Sequence, residues 1–429
     1  MHFRCHGCGA TVDAGDALPF RCPNAGVAGN DIDHVLVAEP PDAVFPRGAE
    51  QNPFLRYRTL LSPYRLARAA GLTEAVWTEI VETLDAALVA VDGRGFRITP
   101  MAEQKSLAAA LGFSGPLWIK DETGNVSGSH KARHLMGVML YLRVLERAKL
   151  PAGDGLRARR LAIASCGNAA LAAAVIARAA DWPLDVFIPT DAGAAVKQAL
   201  QDLGAGIAVC ERRPDETGDP CVLRFREAVA RGAIPFGVQG TENGLAVEGA
   251  RTLGFEMAEE FSAAGVAPAV LYVQVGGGAL ASALAQGFEI AARLGGVEKA
   301  PKLIAVQTVG CAPLARAWNK LDRLDLTAAA RHRSRFMWPW ETPPQSLATG
   351  ILDDETYDWW AVAAGMRASG GRPVVVEEDI VARAHNLARL HTGIPASATG
   401  TAGLAGAMSE MSAPDLYGPI AVIFSGVER

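Results

Sequence analysis

The chain has 429 residues, of which 50% are hydrophobic and 20% charged. These globular proportions exclude a disordered, collagen-like or disulfide-scaffold chain and leave room for one two-lobed unit or two to three smaller domains. Its 41 basic and 46 acidic residues give a formal net charge of -5 with no long basic run, so nucleic acid is not an expected partner.

The opening MHFRCHGCGATVDAG is polar where a secretory signal needs an apolar core, and the most apolar stretch, 161–180, is interrupted by Cys166, Gly167, Asn168 and Arg178. A cytoplasmic protein without a membrane partner is the expectation. Residues 1–50 are rich in cysteine, glycine, proline and aspartate and read as a small ribbon-like appendage. Cys5 and Cys8 form a CxxC, which in a reducing compartment suggests metal or redox chemistry over a structural disulfide. With Cys22 they supply three thiolates, and His34 could complete a Cys3His tetrahedron for zinc. The usual second CxxC is missing, so a degenerate, metal-free ribbon stays open as the alternative. Its role would be structural in either case.

From 57 to 111 the apolar spacing is helical, clearest in LTEAVWTEIVETLDAALVAV with Thr73 placed to cap. From 116 onward short β-branched runs alternate with alanine-rich amphipathic stretches. PLWIK precedes 131–147, RLAIAS precedes 169–180, LDVFIP precedes 194–203, and GIAVC precedes a helix near 222–231. The rhythm resumes with AVLYVQV before 280–293, KLIAVQ before 312–321, RPVVV before 380–390, and a terminal PIAVIFS. This is an α/β chain with a parallel sheet covered by helices on both faces, so ligands belong at the strand-to-helix turns.

Three of those turns carry chemistry. After PLWIK comes DETGNVSGSHKAR, which sets Lys131 at a helix start, where the helix dipole favours a neutral amine able to form a Schiff base. An ordinary surface lysine is the alternative reading of this segment alone. The second turn, Ser165, Cys166, Gly167 and Asn168, offers short polar side chains and backbone N–H groups, or simply an N-cap. Cys166 itself reads as buried filler, because no positioned base accompanies it. In the third, VGGGAL, three glycines let the backbone approach an anion, which describes a phosphate cradle. Its spacing is neither GxGxxG nor GxxxxGK[ST].

Taken in order, the SGSHK segment, SCGN, VGGGAL and a final FSG resemble the fold type II pyridoxal 5'-phosphate (PLP) enzymes, and among them the threonine synthases. GCAPL at 310–314, ASGG at 368–371 and VEEDIVARAHNLARLHTGI add to that resemblance, which covers about 65 to 429. It implies a two-lobed catalytic unit over 51–429 with open parallel or mixed sheets, a smaller lobe at about 133–245, and a homodimer. It also implies roles. Lys131 would hold the cofactor aldehyde and later take the α proton, and Asn168 would donate to the cofactor's 3'-oxygen. Gly276, Gly277, Gly278 and Ala279 would bind the phosphate, and Ser425 would face the ring nitrogen. Ser165, Cys166, Gly167 and Asn168 would receive the substrate carboxylate. His130, beside Lys131, reads as a residue packed under the cofactor, with a proton relay as the alternative. A hydroxyl at Ser425, in place of a carboxylate, favours elimination or replacement over transamination.

Departures from the family bear on the substrate. Threonine synthases place an arginine for the substrate phosphate at the position of Ala246, and an acidic residue where Ser397 or Thr399 stands here. Losing a bidentate phosphate contact costs about 1.5–3 kcal/mol, so O-phosphohomoserine is a doubtful substrate. The expected activity is a threonine synthase-like lyase or transferase acting on a small amino acid with a β or γ leaving group. A serine or threonine ammonia-lyase is the alternative, supported by Lys131-Ala-Arg133. A non-catalytic PLP-binding paralogue is a third reading.

Overall fold

The computed structural model describes residues 1–429 except 28, 215, 322–323 and 412–417. The amino-terminal segment folds as strands β1 (His2–Cys5), β2 (Thr11–Asp13) and β3 (Leu36–Ala38), an antiparallel sheet in the order β2-β1-β3. It has no core of its own: Phe3, Phe20 and Leu36 belong to the same buried cluster as Tyr141 and Leu145. Backbone bonds Gly244 N–H to Phe20 and Asp33 N–H to Ala330 tie it to the rest of the chain.

The helical pattern expected over 57–111 is realised only in part. Helices Ser62–Ala69, Glu74–Asp92 and Lys105–Ala110 form, and Thr73 Oγ1 accepts from Val76 N–H as the expected cap. Between them Gly93 takes a left-handed φ of 73° that ends the long helix, and Met101–Glu103 becomes strand β4. β4 pairs antiparallel with β5 (Leu117–Asp121), the strand that leads into Lys131.

Strands β6 (Leu161–Ala164), β7 (Leu184–Pro189), β8 (Gly206–Cys210) and β9 (Ile234–Pro235) form a parallel sheet in the order β8-β7-β6-β9. Strands β10 (Val270–Gln274), β11 (Lys302–Thr308), β12 (Arg372–Val376) and β13 (Ile420–Phe424) join β5 and β4 in the larger sheet, ordered β12-β11-β10-β13-β5-β4. All its pairings are parallel except β4 with β5. β10 and β13 are buried at every position, as befits strands covered by helices on both faces. The chain is therefore a mixed α/β protein with two open sheets flanked by helices and a small cysteine-bearing sheet at its start.

Two helices join the sheets. Lys131–Ala148 crosses Ala246–Ala264 so closely that a Cβ added to Gly249 would stand 2.2 Å from the Arg133 carbonyl oxygen, and one on Gly137 2.7 Å from Gly249 Cα. Only glycine at both positions allows this approach, and it sets where Lys131 begins. Among the described residues no helix is long and apolar enough to cross a membrane.

Candidate active site

The carboxyl ends of β5, β6, β10 and β13 open on one cavity of about 390 Å³, a size suited to a small cofactor with its substrate. Its wall brings together Lys131, the Ser165–Asn168 turn, the glycine loop and Ser425, residues far apart in the chain. Lys131 is the first residue of its helix, and its amine makes no hydrogen bond or ion pair among the described residues. Burial pulls its pKa below the usual lysine value, against the opposing pull of Asp353 and Asp358.

Two helices aim uncapped ends at this cavity. Asn168–Ala179 has Gly167 at its N-cap with no side-chain bond, because Ser165 Oγ accepts from Gly167 N–H at 3.3 Å. Ala279–Arg293 begins after Gly278, whose φ of 94° excludes most other residues, and it too lacks a side-chain cap. First-turn N–H groups without partners carry partial positive charge, so each end is an anion seat. The glycine loop is tight. A Cβ on Gly276 would come 2.4 Å from Asp353 Oδ2, and Gly277 N–H donates to that same oxygen at 2.7 Å. Gly276, Gly278 and Ala279 keep N–H groups with no acceptor among the described residues.

Ser425 is buried at the end of β13, and its Oγ accepts from Gln274 Nε2 at 2.6 Å. Gln274 Nε2 also meets the carbonyls of Gly400 and Ile423, which fixes its amide. With a lone pair of Ser425 so occupied, its own O–H is the group left to donate. His130 shares a bond with the Ser425 carbonyl through Nδ1 at 3.0 Å. A carbonyl only accepts, so Nδ1 carries the proton and Nε2, which has no partner, is a bare lone pair. Burial first, then the Lys131 charge, holds this histidine well below its usual pKa. Asn168 Oδ1 accepts from Arg429 Nε at 2.8 Å, and Arg429 Nη2 also binds the Ser127 carbonyl. That contact leaves the Asn168 amide N–H groups as its free donors.

Several sequence expectations change here. Cys166 is exposed and lines the cavity, so it is not buried filler: the turn at the end of β6 turns it outward. Arg133 does not reach the cavity. It is wholly buried, bonded to Glu122 Oε2 at 2.8 Å and Glu256 Oε1 at 2.5 Å, and Lys120 meets Glu256 at 2.9 Å and Glu260 at 2.8 Å. The Lys131-Ala-Arg133 spacing thus supports the helix from behind and carries no information on the substrate. Ala246 is fully buried and outside the wall. Of the pair replacing an acidic residue, Ser397 caps helix Ala398–Glu410, while Thr399 lines the cavity. Asp219, Gln274, Asp353 and Arg429 escaped the sequence reading. Gln274 alone had a signal, a polar residue ending an apolar strand.

Away from the cavity, the ligand atoms of Cys5, Cys8, Cys22 and His34 all lie within 4.8 Å of one another. Cys8 Sγ is 3.5 Å from Cys22 Sγ, and Cys5 Sγ is 3.5 Å from His34 Nδ1. A tetrahedral zinc with bonds of ~2.3 Å to sulfur has edges of roughly 3.8 Å, so this set fits the ion.

Residues 94–426 match the family model described as pyridoxal-phosphate dependent enzyme, and the chain belongs to that family. A search of curated protein sequences finds no match. Among solved structures the chain is similar to a maize serine racemase, with TM-score 0.61 at 17% identity over 81% of this chain and 93% of that one. It is similar also to threonine deaminase isoform 2 from Solanum lycopersicum, with TM-score 0.60 at 16% identity over 92% and 96%. Diaminopropionate ammonia lyase from Escherichia coli gives TM-score 0.60 at 15% identity over 92% and 95%. At these identities the likeness concerns the fold. The unpartnered amine, the glycine cradle that a Cβ would fill, and the donor at Ser425 fit the family's cofactor.

Proposed function

We propose that the chain is a PLP-dependent lyase that eliminates a β substituent from a small amino acid, releasing a 2-oxo acid and ammonia. The observation that carries this reading is the convergence of a desolvated, unpaired lysine with two open helix ends on one cavity. Lys131 would hold the cofactor, with Gly276, Gly277, Gly278 and Ala279 forming the loop at its phosphate, of which Gly277 gives its N–H to Asp353, Asn168 at its 3'-oxygen and Ser425 at its ring nitrogen. PLP supplies an aldehyde that captures the substrate amine and an electron sink that acidifies its Cα–H. The Lys131 amine takes that proton, and burial, which disfavours its charged form, favours the neutral amine the step needs. N–H groups of the Ser165–Asn168 turn receive the substrate carboxylate. Gln274 holds Ser425 as a hydroxyl donor, a weaker partner for the ring than a carboxylate, which supports elimination over transamination.

A threonine synthase activity is less well supported, because no arginine stands among the described residues lining the cavity to hold a substrate phosphate. Zinc at Cys5, Cys8, Cys22 and His34 belongs to the same reading as a structural ion.

The test is colour and product. Purified protein is expected to be yellow and to lose its visible band on borohydride treatment or on Lys131→Ala. It should convert a β-substituted amino acid to 2-oxo acid and ammonia. Threonine and phosphate formed from O-phosphohomoserine, with no 2-oxo acid from any substrate, would overturn the reading.

A further inference from the structure

The segment after Ser425 pins the loop that leads into Lys131. Ser129 and Gly426 face each other as an isolated antiparallel bridge, Val427 N–H donates to the Gly128 carbonyl at 2.9 Å, and His130 N–H donates to the Ser425 carbonyl at 3.1 Å. Arg429 extends this contact to the other sheet. Its Nη2 donates to the Ser127 carbonyl, and its Nε donates to Asn168 Oδ1 at 2.8 Å. One side chain therefore joins the loop before Lys131 to the first residue of helix Asn168–Ala179, which follows β6. Asn168 lines the cavity, and Arg429 does not.

A guanidinium only donates, so the atom facing Arg429 must be the Asn168 oxygen, and the amide is locked with Nδ2 on its other side. Nδ2 meets no acceptor among the described residues. Without Arg429 a half-turn of the amide would present Oδ1 instead, which repels an anionic oxygen. The bond from Nε also draws electron density toward Oδ1 and makes the two N–H groups stronger donors. Both acceptors of Arg429 are neutral, so its positive charge stays beside the amide. The other charges facing it are Asp92, which accepts from Ser127 N–H at 2.9 Å, and Arg94, which is bonded to the carbonyls of Thr123 and Asn125.

Resting on the cofactor role proposed for Asn168, we infer that Arg429 is a positioning residue for PLP: it fixes the Asn168 amide with its N–H groups toward the cofactor's 3'-oxygen and strengthens them, so that this oxygen is held as an anion. A stronger donor favours the ionised form of the group that accepts from it. Arg429 acts through Asn168 and touches neither cofactor nor substrate. Its bond to Ser127 anchors the guanidinium on the same loop that delivers Lys131, so the two cofactor contacts are set by one side chain.

The experiment reads absorbance of the holoprotein at one pH, where cofactor with an anionic 3'-oxygen absorbs in the visible and the protonated form in the near ultraviolet. PLP affinity is read by titrating the cofactor back into stripped protein. Arg429 is exposed, so substitutions there keep the fold. Arg429→Ala should lower both the visible-to-ultraviolet ratio and the affinity about tenfold, the scale of one charge-assisted bond. Arg429→Lys, which keeps a charge and a donor, should recover a large part of both. Asn168→Ala should show a similar loss, and adding Arg429→Ala to it should change nothing further. Arg389 pairs with Glu428 and does not touch Asn168, so Arg389→Ala loosens the same segment and should leave both readings unchanged. Readings unmoved in Arg429→Ala, equal spectra for the Ala and Lys variants, losses that add in the double variant, or an equal shift in Arg389→Ala overturn the inference. Any of these in a yellow wild type sinks this inference alone. A wild type that takes up no PLP sinks the cofactor reading with it.

Discussion

Asp358 shows how one side chain sets a pH dependence. It is buried, and among the described residues its carboxylate accepts only from Gly240 N–H, at 3.1 and 3.2 Å. Burial pushes its pKa from 3.8 up to about 7, with Gly240 N–H and Lys131 pulling back and Asp33 adding to the rise. Between those two values the folded chain holds a proton that the unfolded chain has released. Stability therefore falls as pH rises from about 4 to about 7, by up to ~4 kcal/mol for this group. Asp358→Asn keeps an acceptor for Gly240 and has nothing to ionise. Urea unfolding at pH 5 and pH 7.5 should show the variant losing less stability over that interval than the wild type; equal losses would refute the assignment. The cavity residues Lys131 and Asn168 were legible in the sequence because each opens a helix after a strand-to-helix turn. Asp353 and Arg429 were not, since neither belongs to a periodic element and each reaches the site only through tertiary contact.

At the scale of elements, the glycine crossing of helices Lys131–Ala148 and Ala246–Ala264 governs where the cavity lysine stands. A methyl on Gly249 would fall 2.2 Å from a backbone oxygen of the residue two after Lys131. Backbone cannot step aside as a side-chain tip can, so Gly249→Ala should cost about 3 kcal/mol or more and displace Lys131. Gly193→Ala, where an added Cβ meets nothing within 4 Å, should change stability by less than about 0.5 kcal/mol. Chemical denaturation of the pair checks this, and similar midpoints for both would discard the packing argument. The strands were readable because β-branched runs between turn residues have few other fates. Helix Ala246–Ala264 was not, because it is buried on nearly every side and so lacks a polar stripe. The expected continuous helical region failed at Gly93, whose left-handed backbone closes a helix, and at Met101–Glu103, which the edge of β5 recruits as a strand.

At the scale of the molecule, the amino-terminal sheet is a brace. His6 packs 3.9 Å from Trp360, Tyr141 Oη donates to the Ala14 carbonyl, Asp31 accepts from Ser334, and Asp33 pairs with Arg333. It therefore touches both the helix that begins at Lys131 and the segment leading to Asp353. Zinc bound at Cys5, Cys8, Cys22 and His34 should be found at about one ion per chain by elemental analysis. Its removal with a chelator should lower the melting temperature and expose the brace to protease, while cofactor absorbance is retained at low temperature. A protein lacking zinc as purified, with unchanged melting in chelator, would make the ribbon metal-free. The two uncapped helix ends carry a last consequence. One follows a strand of the sheet containing β6 and the other a strand of the sheet containing β10, so each sheet contributes one of the two anion seats. Occupancy would then rivet the halves together, and the empty protein should breathe along that seam.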